Sequence, residues 1–380
     1  MIISMGTIFS SLLSERLVKR LGTGCVTAAS VCLTAIALLG FSYGTRFGVF
    51  CFWAIPLGLG AGSVDAALNN FVALHYRARH MNWLHCFWGI GATAGPVILS
   101  FWLAQGESWA MGYRTVGTLQ LMLSAVLVFI LPLWRRVEGK EADADAIQKK
   151  GPLAEGTQKK EEFSDQTEAT GKTKAGRPEN HEISGTLRSL LSLPGVKPVL
   201  VAFFCYHAVE MTIGLWSSSY LVLCKGISAA MAASLLSLYY VGITAGRLFA
   251  GFLAEAWEER RLIRAGLIIL ILGMALVVAG LKENSLRAAF LLMGAGCAPI
   301  YPSLLHETPK NFGSRHCQAI MGIQMSAAYA GATCMPPVFG VLGSVFGYQL
   351  FPVYVAVLLC LTICMVEKVN RSTGAFSQIK

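Results

Sequence analysis

Two carboxylates stand apart from the rest of the chain because of the residues around them. Asp65 lies in GLGAGSVDAALNN, residues 58–70, and Glu210 lies in AVEMTIGLWSSSYL, residues 208–221, each well inside a long apolar run. Outside the polar stretch 139–182, the other acidic residues fall at the ends of such runs or between them. Holding a charge at the centre of a bilayer costs at least roughly 2.5 kcal/mol, so intramembrane carboxylates face an aqueous path or a partner. Carboxylates in apolar surroundings also hold protons more tightly, which suits a group that loads and unloads a proton. Asp65 is therefore read as a cavity carboxylate and, with Glu210, as a proton-coupling candidate. Asn69 follows Asp65 by one helical turn and shares its face. It can bind a polar ligand, orient the carboxylate, or only hold two helices together. His207 precedes Glu210 by three residues, so the two can share a proton as a coupled pair. A purely structural contact is the alternative.

Other polar and aromatic residues extend this set. Trp216 and Tyr220, four apart, can form an aromatic wall or anchor a helix end at the membrane interface. His85, Trp88, Tyr301, Gln318, Gln324 and Tyr329 are further cavity candidates. His85 follows a basic loop by a few residues, which places it near a mouth of the cavity. Arg247 is a gating candidate, or it snorkels and pairs with an acid near its helix end such as Glu255. His75, His80 and His85 recur every five residues, so each turns about 140° from the last and the rings diverge. No metal site or cofactor is expected. GLGAG lacks the lysine of a phosphate loop, and GIGATAG lacks the strand before it that a dinucleotide site needs. Gly58, Gly60 and Gly62, then Gly89, Gly91 and Gly95 with Pro96, are read as surfaces for close helix packing and local bending.

The elements that must position these residues follow from composition. Of 380 residues, 54% are hydrophobic and only 14% charged, against about 25% charged in soluble domains. Apolar blocks fall at about 1–13, 24–42, 47–74, 83–104, 112–134, 196–224, 229–253, 262–280, 285–305, 314–341 and 345–366. Most are long enough to span a hydrocarbon core of roughly 30 Å. They are continuous rather than alternating, so the fold class is an all-α membrane protein and not a barrel. Five blocks precede the charged stretch Gly139–Glu182 and six follow it. That stretch buries too little apolar surface to offset its ordering entropy, and a disordered linker is expected there. The domains expected are a helical bundle at 1–138, the linker at 139–182, a six-helix bundle at 183–368 and a tail at 369–380. The net charge of +10 gathers in the loops between blocks, where it sets topology rather than binding nucleic acid. Basic residues concentrate on one side if the helices alternate, which puts the linker and C-terminus in the cytoplasm. Most of the eleven cysteines lie in apolar runs as small buried hydrophobes. Segments 58–62 and 293–299, both glycine-rich, recur in a common order with their flanks, consistent with an internal duplication.

These motifs, together with MNWLHCFWGIGATAGP (81–96) and the basic loop SERLVKRLG (14–22), resemble the major facilitator superfamily, most of all its fucose-permease-related branch of sugar permeases. The resemblance implies two bundles of six helices and secondary active transport by alternating access. It implies a small polar, sugar-like solute as substrate and protons as the coupling ion. Glu15 and Arg16 stand near the acidic and basic residues of the family's loop, and with Arg20 they become loop or gating candidates. The family's helix-four acidic residue falls on Asp65, and its helix-five polar residue at about Trp88. Block 1–13 aligns with the family's second helix, so the first helix is expected to be missing. A start assigned too far downstream is preferred to a true truncation. A non-transporting sensor or scaffold derived from a transporter is the competing function. An enzyme is not expected, for want of a nucleophile–base pair. The protein is expected to be a monomer in the plasma membrane, with solute, protons and lipid as its partners.

Overall fold

A computed structural model describes residues 1–134, 187–279 and 283–377. The described residues form helices: α1 Ile2–Leu21, α2 Thr23–Ser42, α3 Phe47–His75, α4 Ala78–Ala104, α5 Trp109–Phe129, α6 Leu187–Ser192 and α7 Val196–Lys225. They continue as α8 Ala229–Leu253, α9 Glu259–Val278, α10 Glu283–Cys297, α11 Ile300–His306, α12 Thr308–Phe312, α13 Ser314–Phe346 and α14 Phe351–Ser377. Ten stretches among them are long and apolar enough to cross a membrane. Block 1–13 is not one of the ten. It forms the first part of α1, whose other end carries Glu15, Arg16, Lys19 and Arg20. The expected linker lies outside the described residues.

The basic segment SERLVKRLG is not a loop. It is built from good helix formers and carries an i,i+4 pair, Lys19 Nζ to Glu15 Oε1 at 2.6 Å, so the helix continues through it. Gly22, with φ of 79°, ends α1, and α2 begins at the next residue. Such a left-handed turn favours a residue without a Cβ. At the other terminus, α14 runs to Ser377, so the start of the expected tail extends the last helix.

Helices α1, α2, α3 and α5 pack on one another, as do α7, α8, α9, α10, α13 and α14. The two halves meet where α1 lies on α13 and α4 on α8. Close approach depends on small residues. A Cβ on Gly58 would strike the backbone of Ile3, and one on Gly62 would strike Thr7, Ser10 and Ser11, all on α1. Gly60 faces Ser30 and Thr34 on α2. The echo in the second half behaves alike: Gly294 receives α8 and Gly296 receives α9. In each half, the glycines of this motif admit the two preceding long helices. Gly89 receives Thr244 of α8. Gly91 and Gly95 do not pack: a Cβ at either meets nothing within 4 Å. They lie on a part of α4 that has left the opposing half. Pro96 lies within α4.

This contrast gives a test. Gly62→Leu and Gly91→Leu raise helix propensity equally, but only the first inserts volume into a packed seam. Overpacking costs about 1–3 kcal/mol, so purified Gly62→Leu is expected to melt below the parent and Gly91→Leu to melt with it. Equal melting of the two variants would refute the packing role of Gly62.

Candidate functional site

Contacts between the halves follow two stripes that converge on one end. On α13 the stripe is Gln318, Gly322, Ser326 and Tyr329, spaced by one helical turn. Gln318 Nε2 donates to Ser14 Oγ at 3.0 Å, a Cβ on Gly322 would meet the Ser11 carbonyl, and Ser326 Oγ donates to the Ile8 carbonyl at 3.1 Å. On α4, Arg79 pairs with Glu255, Trp83 packs edge-on against Phe252, and the Cys86 thiol reaches the Thr244 carbonyl at 3.4 Å. These contacts lie toward the end that carries Arg16, Arg20, Arg77 and Arg79. Past Gly89, α4 is largely exposed and a Cβ at Gly91 or Gly95 would meet nothing within 4 Å, so the halves part there and a cleft opens toward the opposite end.

Asp65 sits at the floor of this cleft. It precedes the α3 terminus, His75, by 10 residues, or roughly 15 Å along the helix, about half the thickness of a hydrocarbon core. Asp65 is partly buried and its carboxylate accepts from two donors: the Tyr329 hydroxyl donates to Oδ2 from the other half, and Asn69 Nδ2 donates to Oδ1 at 2.8 Å and also to the main-chain oxygen at 2.9 Å. Asn69 Oδ1 in turn accepts from His85 Nε2 at 2.9 Å. Asp65, Asn69 and His85 therefore form one hydrogen-bonded chain, with Tyr329 linking it to the second half. His85 is buried at the floor rather than at a mouth, because its ring is held between Asn69 and the edge of Tyr301, 5.1 Å away. Tyr301 also packs against His207 at 4.5 Å, so one phenol ring separates a histidine of each half.

The second carboxylate has a different partner from either expected one. Glu210 and Arg247 are both about 3% exposed, with Arg247 Nη2 3.5 Å from Glu210 Oε1. Arg247 does not pair with Glu255, which faces Arg79, and Glu210 is not hydrogen-bonded to His207. A buried guanidinium needs a counter-ion at hand, and α7 supplies it one turn from the floor. Arg247 also crosses the seam: Nη1 donates to the His85 carbonyl at 3.3 Å, and its guanidinium lies 5.2 Å from the centre of the Trp88 ring. Trp88 itself is 51% exposed, so one face of its ring is left uncovered beside Arg247. Glu210 Oε2, Arg247 Nε and His207 Nδ1 have no hydrogen-bond partner. Buried polar atoms are usually satisfied, so this cluster holds unmet donor and acceptor capacity just beneath the floor.

Four candidates are not at this floor. Trp216 donates from Nε1 to the Pro336 carbonyl at 2.9 Å and stacks on Tyr348, while Tyr220 stacks on Phe351. Both belong to an aromatic cluster packed within the second half, neither lining the floor. Gln318 serves the seam, as above, and fully buried Gln324 accepts from Thr308 Oγ1 at 3.0 Å. Glu15 is tied to Lys19, and Arg16 and Arg20 are exposed at the closed end. Sequence reasoning missed Tyr206 and Tyr239, whose hydroxyls donate to the carbonyls of Cys297 at 2.7 Å and Glu210 at 3.2 Å. It also missed the serines of α1. Their spacing, Ser11 and Ser14 with Thr7 and Ser10 beside them, was the available signal: a polar stripe on a helix otherwise read only for its length. Among the described residues no group of His, Cys, Asp and Glu is placed to hold a metal.

Comparison with known proteins fits this arrangement. The chain is 24% identical over 375 residues to Bypass of stop codon protein 6 of Saccharomyces cerevisiae, covering 94% of this chain and 71% of the yeast protein. Its fold is similar to that of the proton:xylose symporter XylE, with a TM-score of 0.72 at 13% identity, over 97% of this chain and 84% of that one. It is also similar to the E. coli fucose:proton symporter FucP, with a TM-score of 0.65 at 17% identity, over 96% and 90% of the two chains. The model of the Major Facilitator Superfamily matches residues 1–225 and 199–373. Matched along nearly its whole length and folded as two packed helical halves around a polar floor, the chain belongs to the major facilitator superfamily of membrane transporters.

Proposed function

We propose that this protein is a proton-coupled secondary transporter of a small, neutral, sugar-like solute, working by alternating access. The observation that carries this reading is the bond from Tyr329 to Asp65. It joins the two halves through a group that can gain or lose a proton. An ionised Asp65 accepts from Tyr329 and Asn69 at once. Protonation removes the charge that both donors serve and weakens the link between the halves. Proton loading is thereby tied to the movement that exposes the site to the other side. The solute binds above this floor, against the exposed face of Trp88 and the unsatisfied atoms of His207, Glu210 and Arg247. Glu210 and Arg247 neutralise each other, which favours a solute without net charge. The names of the two symporters of like fold, for fucose and for xylose, support a sugar-like substrate. The basic residues at the closed end support a cytoplasmic placement of that end, with the cleft facing outward from a monomer in the plasma membrane.

Purified protein in proteoliposomes, given an inward proton gradient and a panel of labelled neutral sugars, tests the reading. At least one sugar is expected to accumulate above its external concentration, and a protonophore is expected to abolish the excess. Equilibration without accumulation for every sugar that crosses would refute proton coupling.

A further inference from the structure

The closed end holds a second polar cluster, away from the cleft floor, that spans the seam. His306, at the end of α11, is 7% exposed. Its Nδ1 is 2.8 Å from Glu259 Oε1, and its Nε2 is 3.0 Å from the main-chain oxygen of Tyr76. Tyr76 caps the end of α3 and so belongs to the other half. Lys310 Nζ lies 2.6 Å from the same Glu259 oxygen, which keeps that oxygen an ionised acceptor. Both ring nitrogens thus face acceptors. A histidine can donate to both only when it carries both protons. With one proton, the imidazole either donates to the carboxylate and turns a lone pair on the Tyr76 carbonyl, or does the reverse and turns a lone pair on the carboxylate. The first tautomer keeps the stronger, charge-assisted bond. Loss of the second proton therefore breaks the contact that crosses between the halves.

We propose that His306 is a proton-operated latch holding the halves together at the basic end, closed when doubly protonated and released when the ring becomes neutral. It senses the pH of the compartment facing that end, independently of the proton bound at Asp65. The charged groups around it are accounted for. On its own side, α9 presents Glu259 and Arg260, and Arg260 Nε is 3.4 Å from Glu307 Oε1 just beyond α11; α12 presents Lys310. The charged pair of α10, Glu283 and Arg287, lies at the start of that helix. Across the seam, His75 bonds to the Phe71 carbonyl, Arg77 and Arg79 begin α4 with Arg79 held by Glu255, and the His80 ring packs against Tyr76. None of these offers the Tyr76 carbonyl a replacement donor among the described hydrogen bonds.

Hydrogen exchange of the full chain in lipid nanodiscs, followed by mass spectrometry and normalised for intrinsic rates, tests the latch. The peptide covering 74–82 is the readout. In the parent, its protection is expected to fall roughly tenfold from the acid end to the alkaline end of a pH series, the size of one lost charge-assisted hydrogen bond. Glu259→Gln replaces the ionised acceptor with an amide that can donate to Nδ1, so a neutral ring keeps its proton for Tyr76. That variant is expected to stay protected at both ends of the series. His306→Gln is expected to be weakly protected at both. A parent whose protection does not change, or a pH response retained in Glu259→Gln, would overturn the proposal even if His306→Gln fails to fold.

Discussion

Asp65→Asn is expected to abolish uphill accumulation while leaving counterflow within about threefold of the parent. Asparagine keeps the shape of the side chain and an oxygen for the Tyr329 hydroxyl, so the floor can still form and the halves can still alternate. What it cannot do is take up and release a proton. A carrier without its coupling proton only equilibrates solute, so the accumulation ratio should fall to about one. Glu210→Gln is the matched comparison. It leaves Arg247 buried without a counter-charge, so both uphill accumulation and counterflow should fall together. Accumulation by Asp65→Asn equal to that of the parent over a range of pH would assign the coupling proton elsewhere.

Arg247→Met should be the most destabilising single change at the site. It removes one partner of a buried ion pair and leaves the Glu210 charge in an apolar core, for which a loss of about 3–5 kcal/mol is expected. It also removes the bond to the His85 carbonyl across the seam. Converting both partners, as Glu210→Leu with Arg247→Met, removes the stranded charge and should recover most of the melting temperature. Transport should stay low in the double variant, because the groups proposed to bind solute are gone. Thermal melting in detergent separates the outcomes. A double variant no more stable than Arg247→Met alone would show that the pair is not what stabilises this region.

The parts of this site that could be read from sequence were those marked by local contrast. An acid isolated in an apolar run is conspicuous, and Asn69 one turn later places an amide on the same face, which is how Asp65 and Asn69 meet. The glycines of GLGAG were legible as a packing surface for the same local reason. Partners brought in by tertiary packing were not. Glu210 and Arg247 lie on different helices, and nothing in the spacing between them says which acid the arginine meets; proximity in sequence pointed to Glu255 instead. The charges of SERLVKRLG resemble those of a loop in an apolar context, although its residues favour helix until Gly22 imposes a positive φ. Gly91 and Gly95 look like Gly58 and Gly62 in sequence, and only the parting of the halves leaves them open. His306 sat at the edge of an apolar block, and its role depends on a carbonyl about 230 residues away.

If solute crosses together with a proton carried at Asp65, every sugar that enters brings a proton with it. Weakly buffered proteoliposomes with a pH indicator inside test this coupling directly, with a saturating transported sugar added to the outside and no gradient imposed. Sugar-dependent acidification of the lumen is expected for the parent, and sugar entry without acidification for Asp65→Asn. Sugar entry without proton movement in the parent, or acidification undiminished in Asp65→Asn, would contradict it.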